Sequence, residues 1–222
     1  MSAAIAPVAV RERPIPFSGP MVRAILAGTK TQTRRVGTIR QGGMARVLLG
    51  VEHERADIEA APCRYGVPGD RLWVRETWGL VQMHELGQHI YTSPRIPDRQ
   101  HVTYRAGKQV GVPIAGASPI EFRTEWRDDF KPERWRPSRF MFRWASRLTL
   151  EITGVRVERL QEITEEDAIA EGMDHVRLSI PADTSDMTAR DIFEGGWDAI
   201  NGKRAPWASN PWVWAVTFRR VA

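Results

Sequence analysis

Ser18-Gly19-Pro20-Met21-Val22-Arg23-Ala24-Ile25-Leu26-Ala27-Gly28-Thr29-Lys30-Thr31-Gln32-Thr33-Arg34-Arg35-Val36 changes chemical character halfway along. Its first half predicts a short helix. Ser18 can cap the free amides, Pro20 suits a first turn, and Met21, Val22, Ile25 and Leu26 form one apolar stripe. Gly28 supplies the left-handed residue that stops it. Lys30, Thr31, Thr33, Arg34 and Arg35 then crowd behind the helix end. A hydroxyl attacks only with a base at hand, so hydroxyls beside an amine are the ingredients of an activated nucleophile. A Thr-rich edge strand with solvated cations is the commoner source of such spacing.

A second stretch with chemistry out of place lies far along the chain. Leu148, Leu150 and Ile152 alternate as a strand, Gly154 marks a bulge, and Val155 and Val157 resume. Thr164 caps a following helix, with Asp167 three residues on and Glu165 and Glu166 in the first turn. Glu171 sits instead at the last turn, just before Gly172, where the helix dipole disfavours a negative charge. A carboxyl held there suits proton transfer; a misplaced surface acid is the plainer explanation.

Together these two stretches resemble the ASCH domain family of the PUA-like superfamily. Gly28-Thr29-Lys30-Thr31-Gln32-Thr33-Arg34-Arg35 is similar to the Gly-x-Lys-Thr-x-Thr-x-Arg pattern of its bacterial N4-acetylcytidine amidohydrolases. Glu165-Glu166-Asp167-Ala168-Ile169-Ala170-Glu171-Gly172-Met173 resembles the helix that carries their catalytic Glu. The resemblance implies an α+β fold: a PUA-like small β-barrel with flanking helices and a long insertion at about 80–145. It assigns catalysis to Lys30, Thr33 and Glu171. Arg35 matches the pattern's last position and is a candidate oxyanion donor. The turn Pro68-Gly69-Asp70 into an apolar strand also recurs in ASCH domains, and leads through Arg71–Trp78 to Glu76 and Trp78 at a candidate pocket rim. The long form is similar to phage-encoded ASCH proteins.

The chain's 222 residues suffice for one domain with a substantial core. Residues 1–14 read as a loose arm, with Arg11, Glu12, Arg13 and Pro14 breaking any element. Lys plus Arg number 32 against 27 Asp plus Glu, a net charge of +5, compatible with a nucleotide or nucleic-acid partner without requiring one. Cys63, the single cysteine, excludes an internal disulfide framework and points to a reducing, cytoplasmic setting. No apolar run reaches membrane-spanning length.

Short strands are expected at Met44–Val51, around Ile90–Thr92 and at Val102–Arg105. His84, His89 and His101 match no zinc spacing, and neither a metal nor a cofactor is implied. From Glu121 to Arg147, Phe122, Trp126, Phe130, Trp135, Phe140, Phe142 and Trp144 interleave with arginines. Such a mixture stacks bases and holds phosphates, and equally builds an amphipathic lid. After an irregular loop at 174–187, Thr188 and Asp191 cap a helix with Ile192, Phe193, Trp197 and Ile200 on its stripe, ended by Asn201-Gly202. In the last strand Trp212, Trp214, Val216 and Phe218 share a core face, with Trp212 a candidate pocket wall. No phosphate loop or nucleophile elbow is present.

The expected activity is removal of the acyl group from an N4-acylated cytosine nucleoside. Neutral Lys30 takes the Thr33 proton, Thr33 attacks the acyl carbonyl, and Glu171 manages the proton of the leaving amine or activates the water that follows. The alternative route is direct water attack guided by Lys30 and Glu171, with Thr33 only a hydrogen-bonding group. One geometric obstacle stands: residues three apart in a regular strand point to opposite faces, so Lys30 and Thr33 need a turn between them. An RNA-binding PUA-like module or ribonuclease, or a non-catalytic phage accessory protein, stays as the alternative. Oligomeric state is not legible.

Overall fold

The computed structural model describes residues 9–41, 44–47, 55, 59, 61–82, 100–106, 134–177 and 186–221. Its fold is mixed α+β. A five-stranded sheet runs in the order β1-β5-β8-β9-β2, formed by β1 (Glu12–Pro16), β5 (Arg71–Arg75), β8 (Thr149–Arg159), β9 (Trp212–Arg220) and β2 (Gln32–Val36). β1 lies parallel to β5; the pairings β5–β8, β8–β9 and β9–β2 are antiparallel. Two hairpins stand apart from it, β3 (Thr38–Gln41) with β4 (Met44–Val47) and β6 (Trp78–Gln82) with β7 (Gln100–Tyr104).

The five strands do not close into the expected barrel. β1 and β2 are the two ends of the strand order and do not pair with each other. Pro14 and Pro16 lie in β1, and proline, lacking an amide donor, suits an edge. The loose arm expected at 1–14 also gives way, from Glu12 onward, to this strand. Asp70 anchors it by accepting the Arg11 amide at 3.0 Å, and the Arg71 amide donates back to the Arg11 carbonyl.

Helix α1 (Gly19–Leu26) follows the apolar stripe, burying Val22, Ala24 and Ile25. Ser18 holds the cap position, but its side chain makes no capping hydrogen bond. Gly28 is left-handed, at φ 78°. The remaining helices are α2 (Glu165–Ala170), α3 (Met173–Arg177) and α4 (Ala189–Asn201). α3 occupies the start of the segment expected to be a loop. Ile200 falls outside the buried stripe of α4, 71 % exposed, because the last turn of that helix runs beyond the core.

β9 is covered on both faces, hence its unbroken burial from Trp212 to Val216. Trp212, Trp214, Val216 and Phe218 meet Ile15, Phe17, Val22, Ile25, Leu72 and Leu150 on one face. Val213 joins Leu160, Met173, Ile192, Phe193 and Trp197 on the other. The β8–β9 register shifts between Ile152 and Gly154, as the glycine suggested. The expected run Arg71–Trp78 divides at Glu76 and Thr77 into β5 and β6, where the Glu76 amide donates to the Met141 sulfur. The segment expected around Ile90–Thr92, with His84 and His89, lies outside the described residues. No helix among the described residues is long and apolar enough to cross a membrane.

Gly172 holds this arrangement at its tightest point. Its φ is 85°, and a Cβ there would stand 2.9 Å from the Ala24 Cβ and 3.0 Å from the Lys30 Cβ. Gly172→Ala is therefore expected to cost about 1–3 kcal/mol from backbone strain, before the clash is counted. Urea denaturation checks this; an unchanged midpoint would contradict it.

Candidate active site

Two glycine-stopped helices place the charged groups. Beyond α1 the amides of Thr29 and Lys30 both donate to the Ala24 carbonyl, and the Thr31 amide crosses to the Ala170 carbonyl at the end of α2. α2 begins where Thr164 accepts the Asp167 amide and ends with Glu171 at its C-cap. The start of β2 is thereby pinned to the end of α2, and Lys30 meets Glu171.

The Lys30 ammonium is buried and fully engaged. Nζ donates to the Gln32 carbonyl at 2.7 Å, the Glu171 carbonyl at 2.8 Å and Glu171 Oε2 at 2.7 Å. Both residues are 3 % exposed. Burial is the largest influence on Lys30 and lowers its pKa below the ordinary lysine value; Glu171 opposes the shift, while Arg35 and Arg34 add to it. The ammonium satisfies the Glu171 carbonyl at the negative end of α2, where a cation is favoured.

Lys30 is not directed by strand alternation. It precedes β2 rather than lying within it, and its side chain folds back to the Gln32 carbonyl, part of the peptide that joins Gln32 to Thr33. Thr33 is buried, opposite Val216, and its hydroxyl makes no hydrogen bond among the described residues. Strand alternation puts Arg35 on the same face. The Phe17 ring connects the two ends of this group, with Lys30 Nζ 5.6 Å from its centroid and the Arg35 guanidinium at 5.0 Å. Arg35 donates to the Pro16 carbonyl at 2.7 Å, while its buried Nε has no partner.

Arg34 faces the opposite way, toward α2. It contacts Asp167 Oδ2 at 2.6 Å, Glu171 Oε1 at 3.4 Å and Glu158 Oε1 at 2.6 Å. Asp167 is further held by Gln32 at 3.0 Å and Arg156 at 2.9 Å. Burial raises its pKa, but these donors outweigh burial and hold it below the ordinary value. Asp167 and Glu158 thus join Glu171 in offsetting the cost of burying Arg34.

A cleft of about 530 Å³ lies over the neighbouring strands, lined by Cys63, Gly66, Val67, Val155, Val157 and Trp214 among others. In register Val155 pairs with Val216, and Val157 with Trp214, while Thr33 and Arg35 pair with the same two β9 residues. Thr33 and Arg35 thus share the cleft's sheet face without lining it. Burial pushes the Cys63 thiol up, away from thiolate chemistry.

The other sequence candidates lie elsewhere. Glu76 is buried and accepts from Arg147 at 2.8 and 2.9 Å; Trp78 is buried in a separate cluster with Tyr104, Met141 and Ala145. Trp212 packs in the main core beneath the Arg159 guanidinium, 4.2 Å from its ring. Lys30 and Glu171 meet, and Arg35 lies across the Phe17 ring from Lys30; Thr33 is buried two positions before Arg35 in β2, and Glu76, Trp78 and Trp212 have their contacts in other places. Sequence reasoning missed Arg34, Phe17 and the second role of Asp167. Alternation along β2 separates Arg34 from Arg35 and was the available signal for Arg34. Among the described residues no group of three or more His, Cys, Asp or Glu could hold a metal.

No protein-family model, curated protein or solved structure matches the chain.

Breaking a buried pair leaves the surviving charge uncompensated. Lys30→Met and Glu171→Met should each cost about 3–5 kcal/mol, and the double variant Lys30→Met/Glu171→Met much less than the sum of the two. A double-mutant cycle in urea reads this coupling; additive losses would contradict it.

Proposed function

We propose that the chain is an amidohydrolase that removes the acyl group from N4-acylated cytosine nucleosides, of which N4-acetylcytidine is the simplest. The observation that carries this reading is the meeting of Lys30 and Glu171, 141 positions apart, at 2.7 Å in a buried site at the start of the strand that carries Thr33. Those are the residues that the ASCH resemblance pairs in catalysis. With it goes a fold reading: the open sheet and its two hairpins are a variant of the PUA-like barrel.

The chemistry runs as follows. Lys30 is already bonded to Glu171, and burial holds its amine below the ordinary lysine pKa, so the neutral base forms as pH rises. Neutral Lys30 takes the Thr33 hydroxyl proton as the oxygen attacks the acyl carbonyl. The unpartnered Arg35 Nε, on the Thr33 face, is the donor for the oxyanion. Collapse breaks the bond from the acyl carbon to N4, and the proton that Lys30 took from Thr33 passes by way of the Glu171 carboxylate to the leaving amine. Water then hydrolyses the Thr33 ester, releasing the carboxylic acid and restoring the site. Phe17 excludes solvent from the ammonium, which keeps the amine's pKa low.

Incubation with N4-acetylcytidine, followed by chromatography for cytidine, tests the reading. Thr33→Val removes the hydroxyl while keeping the side chain's shape, and should lower the rate about 100-fold or more, whereas Thr33→Ser retains most of it. The wild-type rate should rise with pH through one ionisation lying below the ordinary lysine value, because burial lowers Lys30 and only the neutral amine is a base. No cytidine from the folded wild type would overturn the activity. Full activity in Thr33→Val would overturn the nucleophile's role.

A further inference from the structure

The segment from Arg134 to Arg147 contains five arginines, four large aromatic residues and no acid. Its placement is unusual for so aromatic a stretch. Arg136 forms an antiparallel bridge with Trp78, which fastens the segment to the β6–β7 hairpin. Met141 and Ala145 then bury themselves against Trp78 and Tyr104. Between and beside these anchors Phe140 and Phe142 are turned outward, 56 % and 57 % exposed. A core that needed aromatic mass would have taken these rings in.

The exposed groups form a graded stacking surface. Phe142 and Trp144 lie nearly parallel, with 10° between their planes and 5.9 Å between centroids. Both meet the buried Trp78 edge-on, so the pair rests on a fixed floor. Arg139 covers the Phe140 ring at 4.7 Å, and Arg136 covers Trp78 at 5.5 Å. Arg143 is held by Glu12 and Arg147 by Glu76; Arg136 and Arg139 meet no carboxylate among the described residues. The buried Trp78 indole nitrogen has no acceptor either.

From this we infer that the surface formed by Phe140, Phe142, Trp144, Arg136 and Arg139 binds single-stranded nucleic acid. Unstacked bases lie on the exposed rings, and Arg136 and Arg139 take the phosphates. Charge complementarity selects this occupant over an acidic-poor partner, and flat, parallel rings select bases over lipid chains. A duplex keeps its base faces stacked and offers them no surface. The inference is independent of the hydrolase reading, since none of these residues belongs to the Lys30–Glu171 site.

Fluorescence anisotropy with labelled single-stranded RNA and DNA about 12 nucleotides long tests it. Saturable binding that weakens as salt rises is expected. Phe140→Ala and Phe142→Ala should each weaken it about 5-fold or more, and Arg139→Gln should flatten the salt dependence. Both phenylalanines are exposed, so these variants keep the fold, which circular dichroism verifies. Any hydrolysis of free N4-acetylcytidine should be unaffected by Phe140→Ala and Phe142→Ala, so the two readings fail separately. Absence of oligonucleotide binding, an unaffected Phe140→Ala/Phe142→Ala double variant, or preference for duplex or for phosphatidylserine vesicles would each overturn the inference.

Discussion

An ammonium without water must find three acceptors, and Lys30 finds two carbonyls and a carboxylate. Much of the surrounding structure follows from that requirement. α2 must end where its last carbonyls are free, so Gly172 stops it in a left-handed conformation. α1 must end just before Lys30, so Gly28 does the same there. β2 must begin beside the end of α2, which the Thr31–Ala170 hydrogen bond secures. Two helix ends, one strand start and one ion pair form a single constraint.

The second cation, Arg34, shows why the pair is tolerated in the interior. An isolated buried ion pair rarely repays its desolvation. Here Glu171 divides its oxygens between Lys30 and Arg34, while Arg34 divides its guanidinium among Glu171, Asp167 and Glu158. The charges are shared across α2, β2 and β8, so no single bond carries the whole balance. That sharing leaves Lys30 below its ordinary pKa, because burial still outweighs the carboxylate that faces it.

The helix–glycine–cation order of residues 18–36 was legible because local rules govern it: a stripe, a left-handed stop and a strand. The same holds for the Gly154 bulge, the core face of β9 and the cap at Thr188. Glu171 stood out because a carboxylate at a helix end contradicts the dipole, and the cause of that conflict proved to be Lys30. Long-range pairing was not legible. Alternation along β2 turns Arg34 away from Arg35, but nothing local shows that acids from two distant elements bind it. Nor does composition tell an exposed ring from a buried one, and so Phe142 and Trp78 looked alike in the sequence. The edge strand β1 was hidden by its own prolines, which argue against a strand until an edge is known to exist.

The claim on which the account turns is that the Lys30 amine is weakened enough to serve as a base. Heteronuclear NMR of the Lys30 side-chain nitrogen through a pH titration measures this directly. The account predicts a midpoint below that of the other lysines, moving further down when Glu171→Gln removes the opposing carboxylate. A midpoint at or above the ordinary lysine value of 10.5 would make Lys30 a structural cation and contradict the account.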